Sequence, residues 1–390
     1  MRKSAKQNRE SVPAVDVYIA GEDPTSPTPD DEAVFLSLVR TTLDPQQIER
    51  VRNAPAAYPH EKCVMAIHWH PEFVPLDLIA ERFDATFPEA DDALIIPTQH
   101  NVVLEYNGFA GAEVDCYSAS FNQKVQLLLH FSDENAAKAD ALKSMLKYTF
   151  DYRNTQLLDL IEALRQPNSP RSELASLQTG ADSKVIGFVL GEAAKIQEFL
   201  SRYADVMRPD MFKNRIVRDF IDSGRGRMEE DFLNRAQAFV KAVKEIVKAE
   251  FPTRYFYRTE EVIEEARACG AGIVVPHPEQ FWPILLAEYD VDGYEVWNPM
   301  SRKYTEFLIS VVMDRSERIG FGKRKPLVFM GDDTHMSEKV KEPRWQDPAK
   351  ADREIGVQPA WKDVSVVARL ASAGTDKRRI VAEYRDRLRG

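Results

Sequence analysis

The chain has 390 residues, 44% hydrophobic and 29% charged, the composition of an ordinary globular protein with room for two domains or one barrel-sized domain carrying an insertion. A formal net charge of −10 disfavours general binding to a nucleic-acid backbone. No apolar stretch approaches the roughly 18 residues that a membrane helix requires, and the opening MRKSAKQNRESVPAVDVYIAG lacks the apolar segment of a secretory signal, so a cytoplasmic protein is expected.

In chain order, residues 1 to about 30 are polar and read as an arm with a short strand at VDVYIA; the arm as a whole is expected over 1–55, partly disordered. From about residue 60 seven short apolar runs follow, at 63–68, 93–97, 111–117, 125–131, 272–277, 293–298 and 326–332. Each is continuously apolar rather than alternating, as in strands covered on both faces of a parallel sheet. LDLIAERFDATF, between the first two runs, has the helical spacing of a β-α-β crossover. Cys63 and Cys116 lie inside these runs, and with Cys269 they form no CxxC pair, so Cys63 and Cys116 read as core residues in a reducing compartment. Between the fourth and fifth runs the pattern changes to helical periodicity, broken at QPNSPRS, RPD, SGRGR and FPTR. This predicts a helical subdomain over 136–264 inserted into an α/β domain formed by 56–135 and 265–340, with the insertion offering a lid or an oligomerisation surface. Residues 341–390 read as an extension whose end, DKRRIVAEYRDRLRG, is an amphipathic basic helix.

Six of the seven histidines fall at the downstream ends of apolar runs: His68, His70, His100, His130, His277 and His335; only His60 stands apart. Acids share those places, at Glu113 and Asp333. In a parallel barrel the carboxyl ends of the strands converge, and buried polar groups need partners, so one shared metal centre is expected. Alternate residues of a strand point the same way, which lets His68 and His70 reach one ion. Imidazoles mixed with carboxylates suit Mn, Fe or Zn, and the absence of thiolates argues against a structural zinc site.

The series HxH, T-x-H-N (98–101), G-x-E (111–113), a strand-end His, HP (277–278), G-x-E-x-x-N (293–298) and G-x-D-x-H (331–335) resembles the PHP family, the polymerase-and-histidinol-phosphatase-type phosphoesterases. The resemblance covers roughly 60–135 and 265–340. It implies a distorted seven-stranded β/α barrel, here with the helical insertion between the fourth and fifth strands, and two or three divalent metal ions at the strand ends. It further implies that His68, His70, Glu113 and Asp333 hold one metal, that Glu113 bridges to a second on His130 and His277, and that His100, His335 and an acid from the loop after His70 hold a third. Asp77 occupies the place of that acid, with a helix-cap role as its alternative. Two residues depart from the pattern, Pro71 after the HxH and Gln99 before His100.

The function so implied is a metal-dependent phosphoesterase acting on a phosphomonoester or a nucleotide-type substrate, with hydroxide as nucleophile and the catalytic roles falling to His335, His100 and Asp333. The proton for the leaving group is open among His335, His100 and a metal-bound water. Arg302 and Lys303 are candidates for neutralising a substrate phosphate, with an exposed basic pair as the alternative. Asp332 could orient a ligand histidine, Glu295 and Asn298 could order a loop, and Gln280, Phe281 and Trp282 could line the pocket or simply pack. Two further functions remain open: a nucleic-acid-processing phosphodiesterase using the basic tail, and a metal-stabilised interaction protein without catalysis.

Overall fold

A computed structural model describes residues 25–320 and 324–390. The arm residues 1–24, with the expected VDVYIA strand, lie outside the described residues. The described chain forms two compact units, one from 25–40 and 154–251, the other from 41–153 and 252–390.

The first unit is helical. Its helices include Pro29–Val39, Pro170–Thr179, Ser183–Tyr203, Arg215–Asp222 and Glu230–Glu250, packed around Phe35, Val189, Ile196, Phe199, Phe220, Phe239 and Val240. Part of the expected arm therefore belongs to a core. Thr28 and Asp31 form a capping box that starts helix Pro29–Val39, and Phe35 is completely buried. The second helix of the expected arm, Pro45–Arg52, is likewise ordered and buries Val51 in the other unit. The inserted segment is also narrower than 136–264. Helix Asp140–Leu164 buries Leu142 and Leu146 with the sheet and Leu157, Leu160 and Leu164 with the helices, so unbroken helical periodicity hides the boundary.

The second unit is mixed α/β. Its strands are β1 (Cys63–Ala66), β2 (Trp69–His70), β3 (Asp92–Ile95), β4 (Leu104–Tyr106), β5 (Phe109–Ser118), β6 (Gln123–Ser132), β7 (Gly272–Val275), β8 (Gly293–Trp297), β9 (Leu327–Met330) and β10 (Thr334–His335). All seven apolar runs are strands. The reason for their unbroken hydrophobicity is visible in β1: Cys63 and Met65 enter one core with Leu94, Leu127 and Ile273, whereas Val64 and Ala66 enter another with Ile79, Phe83 and Met336. Helix Leu76–Thr86 joins β1 to β3, which pair in parallel.

Two expectations are corrected. The sheet is not all parallel: the order β4-β5-β6-β7-β8-β9 is antiparallel from β4 to β7 and parallel from β7 to β9. Residues 119–122 alone connect β5 to β6, far too few for a parallel crossover. Asn107 and Gly108, with φ of 52° and 85°, make the tight turn between β4 and β5. Nor does hydrogen bonding run round a closed barrel. β1 pairs only with β3, and β10 only with β2, as two small parallel sheets. Asp333 has φ 48°, which ends β9 before the chain pairs again through Thr334–Trp69 and His335–His70.

The C-terminal helix Lys377–Arg389 docks on the sheet through Ile380, Val381, Tyr384 and Leu388. Much of its basic character is internal: Lys377 pairs with Glu61 (3.1 Å), Arg385 with Asp92 (2.7 Å) and Arg387 with Asp292 (3.2 Å). No described helix is long and apolar enough to cross a membrane.

Tyr384 also reaches His130, whose ring is fully buried. The Ile67 carbonyl can only accept, so His130 Nε2–H donates to it (2.9 Å), and Nδ1 accepts from the Tyr384 hydroxyl (2.6 Å). Burial pushes this imidazole down to about 3, against the opposing Ile67 hydrogen bond. An unfolded histidine takes its proton near pH 6.5. The unfolded chain thus binds the extra proton, so the stability linked to His130 is complete above about pH 6.5 and is lost as pH falls towards 3. His130→Gln, which keeps both hydrogen bonds without titrating, is expected to lose roughly 2 kcal/mol less unfolding free energy than the wild type between pH 7 and 5. Urea unfolding at both pH values measures this, and equal slopes would contradict a neutral buried His130.

Candidate metal centre

All side chains of the centre come from the α/β unit. His68 leaves the end of β1, His70 lies on β2, Glu113 in mid-β5, His277 just past β7, and Asp333 with His335 at the break between β9 and β10. Two backbone pairings bring them together: His335 is in register with His70, and His100 forms an isolated parallel bridge with Glu113.

Three overlapping groups result: His68, His70 and Asp333; His68, Glu113 and His277; and His70, His100 and Glu113. Within each, one ligand atom per residue lies no more than 4.8 Å from the others. Glu113 Oε1 is 3.8 Å from His68 Nε2 and 3.4 Å from His277 Nε2, while its Oε2 is 3.7 Å from His70 Nε2 and 2.5 Å from His100 Nδ1. Asp333 Oδ1 lies 3.7, 3.4 and 3.4 Å from Nε2 of His68, His70 and His335. The His70 ring is stacked between those of His100 and His335, at centroid distances of 4.5 and 4.4 Å.

These groups are close but not bonded to one another. His68 Nε2, both nitrogens of His70, His100 Nδ1, Glu113 Oε2 and His277 Nδ1 are buried without a hydrogen-bond partner. Even the short His100–Glu113 approach lacks hydrogen-bond geometry. Buried polar atoms left this way carry a free-energy penalty of about 1–3 kcal/mol each. A divalent cation would relieve it at His68 Nε2, His70 Nε2, His100 Nδ1 and Glu113 Oε2, which lie near one another around Glu113 and Asp333. The residues present therefore fit a metal, and the mixture of imidazoles and carboxylates without a thiolate suits Mn, Fe or Zn.

Charge follows the same geometry. Burial opposes ionisation of Glu113, yet His100, His277 and His70 hold its carboxyl well below the usual range. Asp333 is likewise held well down, against burial, by His335, His70 and His68. Burial, His335 and His100 together push the His70 imidazole well below its ordinary value.

A surrounding layer orients these groups. His68 Nδ1 bonds Glu295 Oε1 at 2.7 Å, which turns Nε2 towards Glu113 and Asp333, and against burial this carboxylate pushes the imidazole up to about 10. Glu295 Oε2 accepts from the backbone N–H of His277 (3.0 Å). A methyl group on Gly331 would come within 2.1 Å of Glu295 Oε1, so any larger residue there would push that carboxylate away from His68. Asp332 Oδ2 accepts from Gly356 N–H (3.0 Å) and the Gln358 amide (3.3 Å), and burial pushes its carboxyl up to about 7. Asp332 thus anchors residues 356–358 and bonds no ligand histidine directly.

His68, His70, His100, Glu113, His277, Asp333 and His335 therefore meet. Four expected residues do not join them. His130 spends both ring nitrogens on Ile67 and Tyr384. Asp77 is exposed in the first turn of helix Leu76–Thr86, where its charge favours the helix N-terminus. Arg302 and Lys303 are exposed, lying 6.0 Å over the Trp297 ring and 4.8 Å over the Tyr304 ring respectively. In place of Asp77 the loop after His70 supplies Glu72, whose Oε1 is 3.5 Å from His335 Nδ1 and whose Oε2 accepts from Ser337 N–H (3.0 Å). Glu72 lies past the end of β2 with φ 55°, so strand alternation gives it no signal. Arg353, bonded to Asp333, has none either.

Glu295→Gln removes the charge behind His68 and places an amide where His277 N–H needs an acceptor. Manganese binding is expected to weaken about 10–100-fold with the fold retained. Competition against a fluorescent chelator measures this, and unchanged affinity would mean that His68 binds no ion through this support.

No protein-family model matches the sequence, and no curated protein matches it. Among solved structures, it is similar to that of a protein from Bifidobacterium adolescentis, provisionally named a metal-dependent phosphoesterase. The likeness covers 82% of this chain and 98% of that one, at 17% identity and a TM-score of 0.42.

Proposed function

We infer that this chain is a metal-dependent phosphoesterase of the PHP type, hydrolysing a phosphomonoester or a small nucleotide-type substrate. The observation that carries this reading is the set of buried, unpartnered imidazole and carboxylate atoms converging on Glu113 and Asp333. Glu113 faces two sets of imidazoles with its two oxygens, as a carboxylate shared between neighbouring ions would. His68, His70 and Asp333 would hold one ion, His277 with Glu113 a second, and His100 and His335 with Glu72 a third. Ions so placed would supply a water activated at neutral pH and positive charge opposite the phosphoryl oxygens.

The protein's own part is orientation and proton handling. Glu295 fixes the tautomer of His68 and the backbone at His277. His335, partly accessible at the edge of the cluster, has its affinity for a proton raised by Asp333 and Glu72 against the effect of burial. When no third ion is bound, it is the group best placed to give a proton to a departing alkoxide. The monoester reading is preferred over nucleic-acid processing because the C-terminal helix spends Lys377, Arg385 and Arg387 on ion pairs within the chain. A partner class bearing phosphate follows, with two or three divalent ions as cofactors.

Protein freed of metal by chelation and restored with manganese is expected to release 4-nitrophenol from its phosphate monoester. His68→Ala with His70→Ala is expected to lower that rate at least about 100-fold and to lower the bound metal per chain. Metal content without hydrolysis across mono- and diesters would overturn the catalytic reading. Full activity in the double variant would overturn the site.

A further inference from the structure

We propose that Arg353, on the segment following the last strand, is a positioning residue of the metal centre that fixes Asp333 so that one carboxylate oxygen alone faces the ions. This inference rests on the metal-centre reading above. Arg353 is 5% exposed and lies 18 residues beyond His335, outside every motif of the strand ends. One of its nitrogens, Nη1, donates both to the Asp333 carbonyl (2.9 Å) and to Asp333 Oδ2 (2.5 Å). The backbone N–H of Asp333 donates to the His68 carbonyl (2.8 Å). Oδ2 is therefore occupied by a guanidinium, and Oδ1 is left among the Nε2 atoms of His68, His70 and His335.

The same contact holds a backbone that would otherwise relax. Asp333 has φ 48°, a conformation that a residue with a side chain adopts at a cost and keeps only where its surroundings enforce it. Arg353 binds both the carbonyl and the side chain of that residue.

Arg353 is itself held from several sides. Its Nε donates to Ala349 O (3.0 Å), and its carbonyl accepts from Lys339 Nζ (2.5 Å). Next to it, Glu354 takes two bonds from buried Arg82, at 2.8 and 2.5 Å. Further on, Gly356 N–H and Gln358 bond Asp332, and Gln358 also bonds the Met65 carbonyl at the end of β1 (2.8 Å). Residues 353–358 thus bond both β1 and the segment just beyond β9, and carry a fixed cation to the metal-facing aspartate.

Manganese affinity by titration calorimetry, with the unfolding midpoint in chelator, tests this on the full chain. Arg353→Met is expected to weaken manganese binding about 10-fold or more. Arg353→Lys, which keeps the charge but reaches less far and loses the Nε bond to Ala349 that orients the group, is expected to lie between that variant and wild type. The discriminating measurement is a cycle with Asp333→Asn. If Arg353 acts through Asp333, adding either Arg353 substitution to Asp333→Asn weakens binding no further, within about twofold. Losses that multiply would mean a general structural role and would overturn the proposal, and the lysine variant carries the same comparison if the methionine variant does not fold. A wild-type protein that binds no manganese, iron or zinc would instead overturn the metal-centre reading, and this inference with it.

Discussion

The α/β unit is organised around the burial of two carboxylates, Glu113 and Asp333, among five imidazoles that do not satisfy them by hydrogen bonding. Such a cluster is unfavourable without a cation, because desolvated polar atoms lose water and gain nothing in return. Its persistence explains features that seem unrelated when taken singly. Of the six described non-glycine residues with positive φ, Asn107 and Asn122 belong to hairpin turns, and the other four, Glu72, Asn101, His277 and Asp333, lie at or beside the centre. Backbone strain is concentrated where side chains must be aimed inward, which is where a binding function offsets it.

Support for the cluster is layered. Glu295 serves two ligands at once, through a side-chain bond to His68 and a backbone bond to His277, and Gly331 is small because that carboxylate packs against it. Asp115, fully buried on β5 two residues from Glu113, is held far below the ordinary carboxylate range, against burial, by Arg153 and Lys124; it also accepts from the Asn101 amide beside His100. The segment at 353–358 supplies the corresponding support for Asp332 and Asp333. Ligand placement is thereby distributed over residues from both ends of the unit.

Much of the site was legible in the sequence because it follows strand periodicity. His68 and His70 share a face, Asp333 and His335 repeat the spacing, and Glu113 sits in a run too apolar to tolerate a charge without purpose. The cluster departs from the sequence pattern where geometry and not spacing decides. Asp77 occupies the place that the resemblance gives to an acid, but a helix begins at Leu76 and Asp77 takes its alternative place in the first turn; Glu72 lies beside His335 instead. His130 ends a strand as the ligands do. Tyr384, 254 residues away, claims one of its nitrogens, and no local pattern announces that. Arg302 and Lys303 were near the strand end in sequence, yet their side chains lie over Trp297 and Tyr304.

The sequence by itself determined the seven apolar strands, the helical character of the long insert and the identity of most of the converging side chains, since each depends on side-chain polarity at local spacings of two or about 3.6 residues. Only the tertiary structure decided strand direction at the β5–β6 hairpin, the failure of the sheet to close, the extent of each core, and the roles of Glu72, Glu295, His130 and Arg353. Those depend on contacts between residues tens to hundreds of positions apart. A hydrogen bond of that kind leaves no period in the chain, only a partner that folding brings within reach.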